Sequence, residues 1–251
     1  MKIQLLKIVY KIISLLNFSK FYKYIFKNNF NLNEVAMKIK ILFTLIIISV
    51  SLAGCFTSSI KGSGNSVTEE RKIDYVSKIE VKGNFNIEVT SGEVSSLKID
   101  AEDNIIPIIE TKVEDEKLTI KLKEKITNLR EINIKISVHD LVELDSEGKS
   151  YINVKGLNTD ELELSGDGEG EISIEGKADY LKVTLEGDGK LLAKDLQTKS
   201  ATVNIYGEAK AEINARKSLK AKVKGEGSID YYGNPEDISI DTSKGGSVNK
   251  K

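Results

Sequence analysis

Glu161-Leu162-Glu163-Leu164-Ser165-Gly166-Asp167-Gly168 and Lys182-Val183-Thr184-Leu185-Glu186-Gly187-Asp188-Gly189 are two copies of one pattern, alternating polar and apolar residues closed by a glycine-rich corner. Period-two alternation puts successive side chains on opposite faces of a strand, with the apolar face buried. The pattern continues on both sides. Gly148, Gly168, Gly189, Gly207 and Gly227 recur at separations of 20, 21, 18 and 20, and each sits between short alternating strands. One such unit cannot bury its own apolar side, so units of near-equal length predict coils stacked as the rungs of a solenoid. Leu162, Leu164, Ile172 and Ile174 line one predicted rung, and Leu181, Val183, Leu185 and Leu192 the next; Val203, Ile205 and Ile213 follow, then Leu219, Val223 and Ile229. Equal coil lengths favour a parallel β-helix over a sandwich, whose connections vary more, with a meander as the alternative.

The preceding region obeys the same period. Ile79, Val81, Phe85, Ile87 and Val89 share parity, as do Leu118, Ile120 and Leu122, and Ile132, Ile134, Ile136 and Val138. A helical turn fits only at Glu102-Asp103-Asn104-Ile105-Ile106-Pro107, where the proline limits it. The class is all-β, with residues 67–122 as a less regular first half. The corner glycines supply unusual backbone angles or room for close approach. No glycine run has the spacing or the strand-to-helix context of a phosphate-binding loop.

Gly62-Ser63-Gly64-Asn65, Glu69-Glu70-Arg71, the stretch Ile79-Glu80-Val81-Lys82-Gly83-Asn84-Phe85-Asn86-Ile87-Glu88-Val89, and Asp103-Asn104-Ile105-Ile106-Pro107 with Leu118-Thr119-Ile120 resemble the family described as "putative auto-transporter adhesin, head GIN domain". The resemblance covers about residues 60–240. It implies a right-handed parallel β-helix-like solenoid, with coils of about twenty residues, on a secreted or lipid-anchored bacterial envelope protein. It brings no catalytic residues with it.

The amino-terminal region decides location. Met37-Lys38-Ile39-Lys40 opens a basic head, residues 41–50 are apolar, and Leu52-Ala53-Gly54-Cys55 closes the run on small residues and the single cysteine of the chain. That is the layout of a secretory signal, and the apolar run falls short of a membrane span. The stretch resembles the signal peptide and lipobox of a bacterial lipoprotein, which implies cleavage after Gly54 and lipidation of Cys55. One cysteine excludes a disulfide within the monomer. Residues 1–36 carry six lysines, Lys2, Lys7, Lys11, Lys20, Lys23 and Lys27, against Glu34, with aromatics between them. This is a membrane-seeking composition. The complete signal that restarts at Met37 favours a second reading, an upstream extension that is not translated. The expected organisation is an extension over residues 1–36, a signal peptide over 37–54, the lipidated cysteine and a tether over 55–66, the solenoid over 67–242 and a polar tail over 243–251.

Residues 1–54 hold eight basic residues and one acid, so residues 55–251 keep 29 basic and 37 acidic ones, a formal charge of about −8. Nucleic acid is therefore not an expected partner, although Lys217, Lys220, Lys222 and Lys224 form a local basic cluster. His139 is the only histidine; Ser137 shares its strand parity, but no nucleophile elbow surrounds it. A histidine satisfied at a strand end is the preferred reading. With one histidine and Cys55 committed to lipid, zinc would have to rely on carboxylates. Asp145, Glu147, Asp167, Glu169, Asp188, Glu208 and Glu226 fall near successive corners, so stacking predicts an acidic column. Solvated corners are preferred there over a calcium site. No cofactor is expected.

Two functional classes follow. The first is a lipid-anchored, adhesin-like binding or scaffold module of the cell envelope, facing the periplasm or the cell surface, without catalysis. Its coil faces would present residues such as Asn153, Thr184, Thr202 and Asn204 to glycan or protein. The alternative is a carboxylate-dependent polysaccharide lyase or glycoside hydrolase on a β-helix. The chain has no tryptophan, the repeat region offers only Tyr151, Tyr180, Tyr206, Tyr231 and Tyr232 as sugar platforms, and short corners leave little loop for a deep cleft. These features favour the first class. Self-association is expected through Ile238-Ser239-Ile240, paired with another molecule or with the first half of the domain.

Overall fold

The computed structural model describes residues 59–127, 131–243 and 245–251. The extension, the signal segment and Cys55 lie outside the described residues. The repeat is built from long bent strands, β11 (Tyr151–Gly168), β12 (Glu171–Gly187), β13 (Lys190–Gly207) and β14 (Lys210–Gly225), each running most of a coil. Adjacent coils pair in parallel from corner to corner: β11 meets β12 from Tyr151↔Glu171 to Gly168↔Gly187, with one register shift between Val154 and Leu157 where the strand bends. The fold is a stacked-coil β-solenoid whose turns repeat at the spacing that the corner glycines predict.

Each bend divides a coil between two parallel sheets. Sheet I contains β7 (Lys117–Leu122), β3 (Lys78–Gly83), β10 (Glu143–Gly148), the second halves of β11 to β14, and β16 (Asp237–Thr242). Sheet II contains β9 (Asn133–Val138), β4 (Asn86–Ser91), the first halves of β11 to β14, then β15 (Ser228–Tyr232) and β17 (Ser247–Lys250). Antiparallel strands close the amino-terminal end. On sheet I, β6 (Ile109–Glu114) forms a hairpin with β7; on sheet II, β5 (Ser96–Glu102) pairs with β9 and β2 (Ser66–Arg71) pairs with β5. A 3-10 turn, Ile106–Ile108, occupies the place where the sequence allowed one, with Pro107 inside it.

One inward column shows what holds the coils together. Leu118, Ile79, Leu144, Leu164, Val183, Val203 and Ala221 stand in register across seven rungs of sheet I, all buried, and Ile240 ends the column 48% exposed. Burying one such aliphatic side chain contributes roughly 1.5–3 kcal/mol, and every rung depends on the next to cover it. Leu192, expected in the core, faces outward: register places it beside Ser173, and its neighbour Leu191 lies inward opposite Ile172. Two adjacent leucines leave parity ambiguous until the partner strand is known.

The corners contain two glycine columns, where the spacing had merged them into one. Gly83, Gly148, Gly168, Gly187, Gly207 and Gly225 pair in register, whereas Gly170, Gly189 and Gly227 lie two residues further on, above Ser150, Gly170 and Ala209 respectively. Gly168 has φ of 122°, and a β-carbon there would meet the Gly148 carbonyl oxygen at 2.5 Å. Ser150 begins the second column fully buried; its hydroxyl donates to the Gly83 carbonyl at 3.0 Å and accepts the Phe85 N–H at 3.2 Å.

Both ends of the domain extend past the expected limits. Order begins before residue 67, with β1 (Ile60–Lys61) paired in parallel with β8 (Ile126–Thr127). Residues 63–65 then form a strap: the Ser63 N–H donates to Asn104 Oδ1 at 3.0 Å, Asn104 Nδ2 donates to the Lys61 carbonyl at 2.8 Å, and the Gly64 N–H donates to Glu102 Oε1 at 2.8 Å. Part of the stretch expected as a free tether is thus bonded to residues some forty positions away. At the other end the stretch 243–251, expected as a polar tail, supplies β17. The strand containing Ile238 and Ile240 pairs with β14 of its own chain, not with the first half.

Candidate binding face

Outward residues of sheet I at the carboxy-terminal end form an ordered grid. In register, β12 presents Tyr180, Lys182, Thr184 and Glu186; β13 presents Ser200, Thr202, Asn204 and Tyr206; β14 presents Ser218, Lys220, Lys222 and Lys224; and β16 presents Asp237, Ser239 and Asp241. Neighbouring strands lie about 4.8 Å apart and alternate residues of one strand about 6.7 Å apart, so these groups share one surface. The predicted residues Thr184, Thr202 and Asn204 fall side by side here, with two of the tyrosines and three of the four flagged lysines. Their wide separations in sequence come from the coil length; only the register shows that they are neighbours.

Ion pairs fasten the edges of this face. Lys182 Nζ lies 2.6 Å from Glu163, whose hydrogen bond and charge raise the lysine pKa, and Lys224 Nζ lies 2.9 Å from Asp241. The hydrogen bond from Lys224 holds the Asp241 carboxyl below its ordinary value, against some desolvation and with help from the Lys224 and Lys222 charges. Lys222 Nζ stands 5.7 Å from the centre of the Tyr206 ring, within cation–π range. Lys220 lies between Thr202 and Ser239, and the ion pairs of this face among the described residues do not include it. A shallow open groove of about 680 Å³ runs over Ser200, Ser218 and Ser239, with Tyr180, 58% exposed, on one side and Lys182 and Lys220 along it; Glu161 and Asp237 mark its ends.

On the outer face of sheet II several polar groups pair with one another. Asn86 Nδ2 donates to Asn133 Oδ1 at 3.2 Å, and Lys155, first by its hydrogen bond at 3.0 Å and then by its charge, with Lys135 behind it, lowers the Glu88 carboxyl. Asn153 lies between Glu88 and Ser173, and Tyr151, 60% exposed, stands beside Asn86 and Glu171. Tyr231 is buried and Tyr232 half-buried, so neither serves as a platform.

The predicted single acidic column divides into three. Glu169, Asp188 and Glu208 stack at the corners below Lys149, each N–H donating to a glycine carbonyl of the coil before, and Glu226 follows at the next corner. Glu147, Asp167 and Glu186 form a second column that Lys82 opens and Tyr206 closes, while Asp145 lies in a third, between Glu80 and Ser165. Among the described residues no group of three or more carboxylate, histidine or cysteine side chains converges to hold a metal ion. His139 is exposed just after β9, with Ser137 half-buried on that strand.

Sequence reasoning missed one ionic cluster, because its members belong to different coils. Lys117 Nζ on β7 lies 2.5 Å from Glu143 and 3.4 Å from Asp145 on β10. Burial, then the hydrogen bond and charge of Glu143, raise the Asp145 carboxyl, whereas the hydrogen bond from Lys117 lowers Glu143 against partial desolvation.

Residues 76–235 match the family model described as "Putative auto-transporter adhesin, head GIN domain", and the chain belongs to that family. A crystal structure described as a putative adhesin from Bacteroides fragilis NCTC 9343 is 24% identical with a TM-score of 0.65, over 77% of this chain and 100% of that one. Another, described as a putative lipid binding protein from Parabacteroides distasonis ATCC 8503, is 22% identical with a TM-score of 0.51, again over 77% of this chain and 100% of that one. At these identities the likeness carries the fold alone. No curated protein matches the chain.

Proposed function

We propose that this chain is a lipid-anchored, adhesin-like module of the bacterial cell envelope, facing the periplasm or the cell surface, that binds glycan or protein without catalysing turnover. The observation that carries the binding role is the sheet I grid, an open surface of hydroxyl, amide, aromatic and lysine groups held in fixed register by the coils beneath. The two-residue corners add no loops from which to build a cleft. Membership of an adhesin family and the description of the Bacteroides fragilis neighbour support the same reading. For the anchor, the support is Leu52-Ala53-Gly54-Cys55. Replacing Cys55 by serine should abolish lipid labelling and membrane retention; unchanged labelling defeats the anchor.

One observation favours the carboxylate-dependent lyase or hydrolase. Asp145, with its raised pKa, borders an open groove of about 360 Å³ with Glu147 and Asp167. Its oxygens are nevertheless engaged with Lys117 and Glu143, which suits a fixed structural group better than a proton donor to substrate. A screen of the protein against envelope glycans separates the readings: saturable binding without products supports the module, and bond cleavage lost in Asp145→Asn overturns it. Self-association along the free edge of β16, where Ile238 is 45% exposed, belongs to the same proposal. A sedimentation profile unchanged across concentration removes it.

A further inference from the structure

We infer that the ligand of the sheet I groove is an acidic polysaccharide, with a sugar carboxylate on Lys220 and a sugar ring against Tyr180. This inference rests on the binding-module reading and gives its ligand a chemical class. Lys220, Lys222 and Lys224 alternate along one strand and all face outward, in a domain whose formal charge is about −8. An anionic chain is repelled by most of the surface; in the groove Glu161 and Asp237 offset Lys182 and Lys220, and the attraction is local to Lys220. Within the stripe Lys224 is committed to Asp241 and Lys222 to the Tyr206 ring, while Lys220 has hydroxyl neighbours on both sides, Thr202 and Ser239.

Lysine alone would suit any anion; the groups around it narrow the choice. Tyr180 offers an apolar ring with a polar tip, the combination that a sugar's C–H face and hydroxyls require. Ser200, Ser218 and Ser239 give donors and acceptors along the groove, and Glu161 and Asp237 at its ends accept from sugar hydroxyls. A phospholipid surface would leave the hydroxyl-lined floor unused.

The test is affinity electrophoresis of the full-length protein in detergent through gels containing polygalacturonate, dextran sulfate or neutral dextran. Polygalacturonate should retard the wild type, less so at high salt. Lys220→Gln should weaken that retardation roughly tenfold, the range for a hydrogen bond to a charged group. Tyr180→Ala should weaken it as well, and Lys210→Gln, on sheet II, should leave it unchanged; thermal melting confirms that each variant is folded. Retardation by neutral dextran in place of polygalacturonate, or capture only by anionic vesicles, overturns the acidic-glycan class while leaving a binding module. Equal retardation in dextran sulfate that ignores Tyr180→Ala marks simple ion exchange and also overturns it. Failure to bind any glycan, vesicle or envelope protein removes the module reading itself.

Discussion

Gly168 lies so close to Gly148 that a β-carbon on the former would stand 2.5 Å from the carbonyl oxygen of the latter, and the same pair is joined in register across the coil boundary. The corner therefore excludes a side chain twice, by contact and by its positive φ. Gly156 also has positive φ, 68°, but nothing lies within 4 Å of a β-carbon there. Alanine at Gly156 should cost only the backbone term, roughly 1–2 kcal/mol. Alanine at Gly168 should cost more and lower the melting temperature by on the order of 5 °C or more, at about 2–4 °C per kcal/mol for a domain of this size. Equal melting points for the two variants would refute the contact.

Leu164 and Val183 are wholly buried partners on successive coils. Leu164→Ala should destabilise the domain by about 2–5 kcal/mol in denaturant unfolding. Val183→Asp should do worse, because an unpaired charge enters the column and each rung relies on its neighbours. A Val183→Asp protein with native stability would contradict the stacking.

Asp145 gives the protein a defined pH response. Its raised pKa means that the folded state holds the proton more tightly than the unfolded chain. Ionising Asp145 therefore costs stability, increasingly as pH rises from the ordinary value of 3.8 through the raised one. Glu143 acts in the opposite sense: its pKa is lowered, so its contribution is present above the ordinary value of 4.5 and is lost as pH falls through the folded value. Asp145→Asn should melt higher than wild type at neutral pH and lose that advantage below about pH 3.8. An advantage that grows on acidification would reverse the assignment.

Asn104 is the centre of the amino-terminal strap, with one bond to the Ser63 N–H and one to the Lys61 carbonyl. Two such bonds contribute about 1 kcal/mol each. Asn104→Ala should raise proteolytic cleavage within residues 59–66 by roughly thirtyfold, about 1.4 kcal/mol being a factor of ten, and change the global melting temperature little. Unchanged cleavage would show that the strap is held elsewhere.

The solenoid was readable because its cause is local: alternation and a repeated corner are properties of one coil, as Leu162, Leu164 and Gly168 show. What escaped depends on partners. The linker-like composition of Gly62-Ser63-Gly64-Asn65 conceals bonds to Glu102 and Asn104, and the polar Ser247-Val248-Asn249-Lys250 is held by backbone pairing that needs little hydrophobicity. The candidate face was half legible. Lysine alternation along β14 is visible in sequence, whereas Thr202 and Ser239 become neighbours of Lys220 only through register. The acids misled for the same reason: Asp167 and Glu169 share a corner in sequence, and pairing of the strands sends them to separate columns.

The strap and the two-residue pair β1–β8 are also the first bonds met by tension arriving from the chain before residue 59. Each can part while the stacked coils, joined along whole strands, keep their pairing. Release of residues 59–65 would leave the register of the sheet I residues as it is.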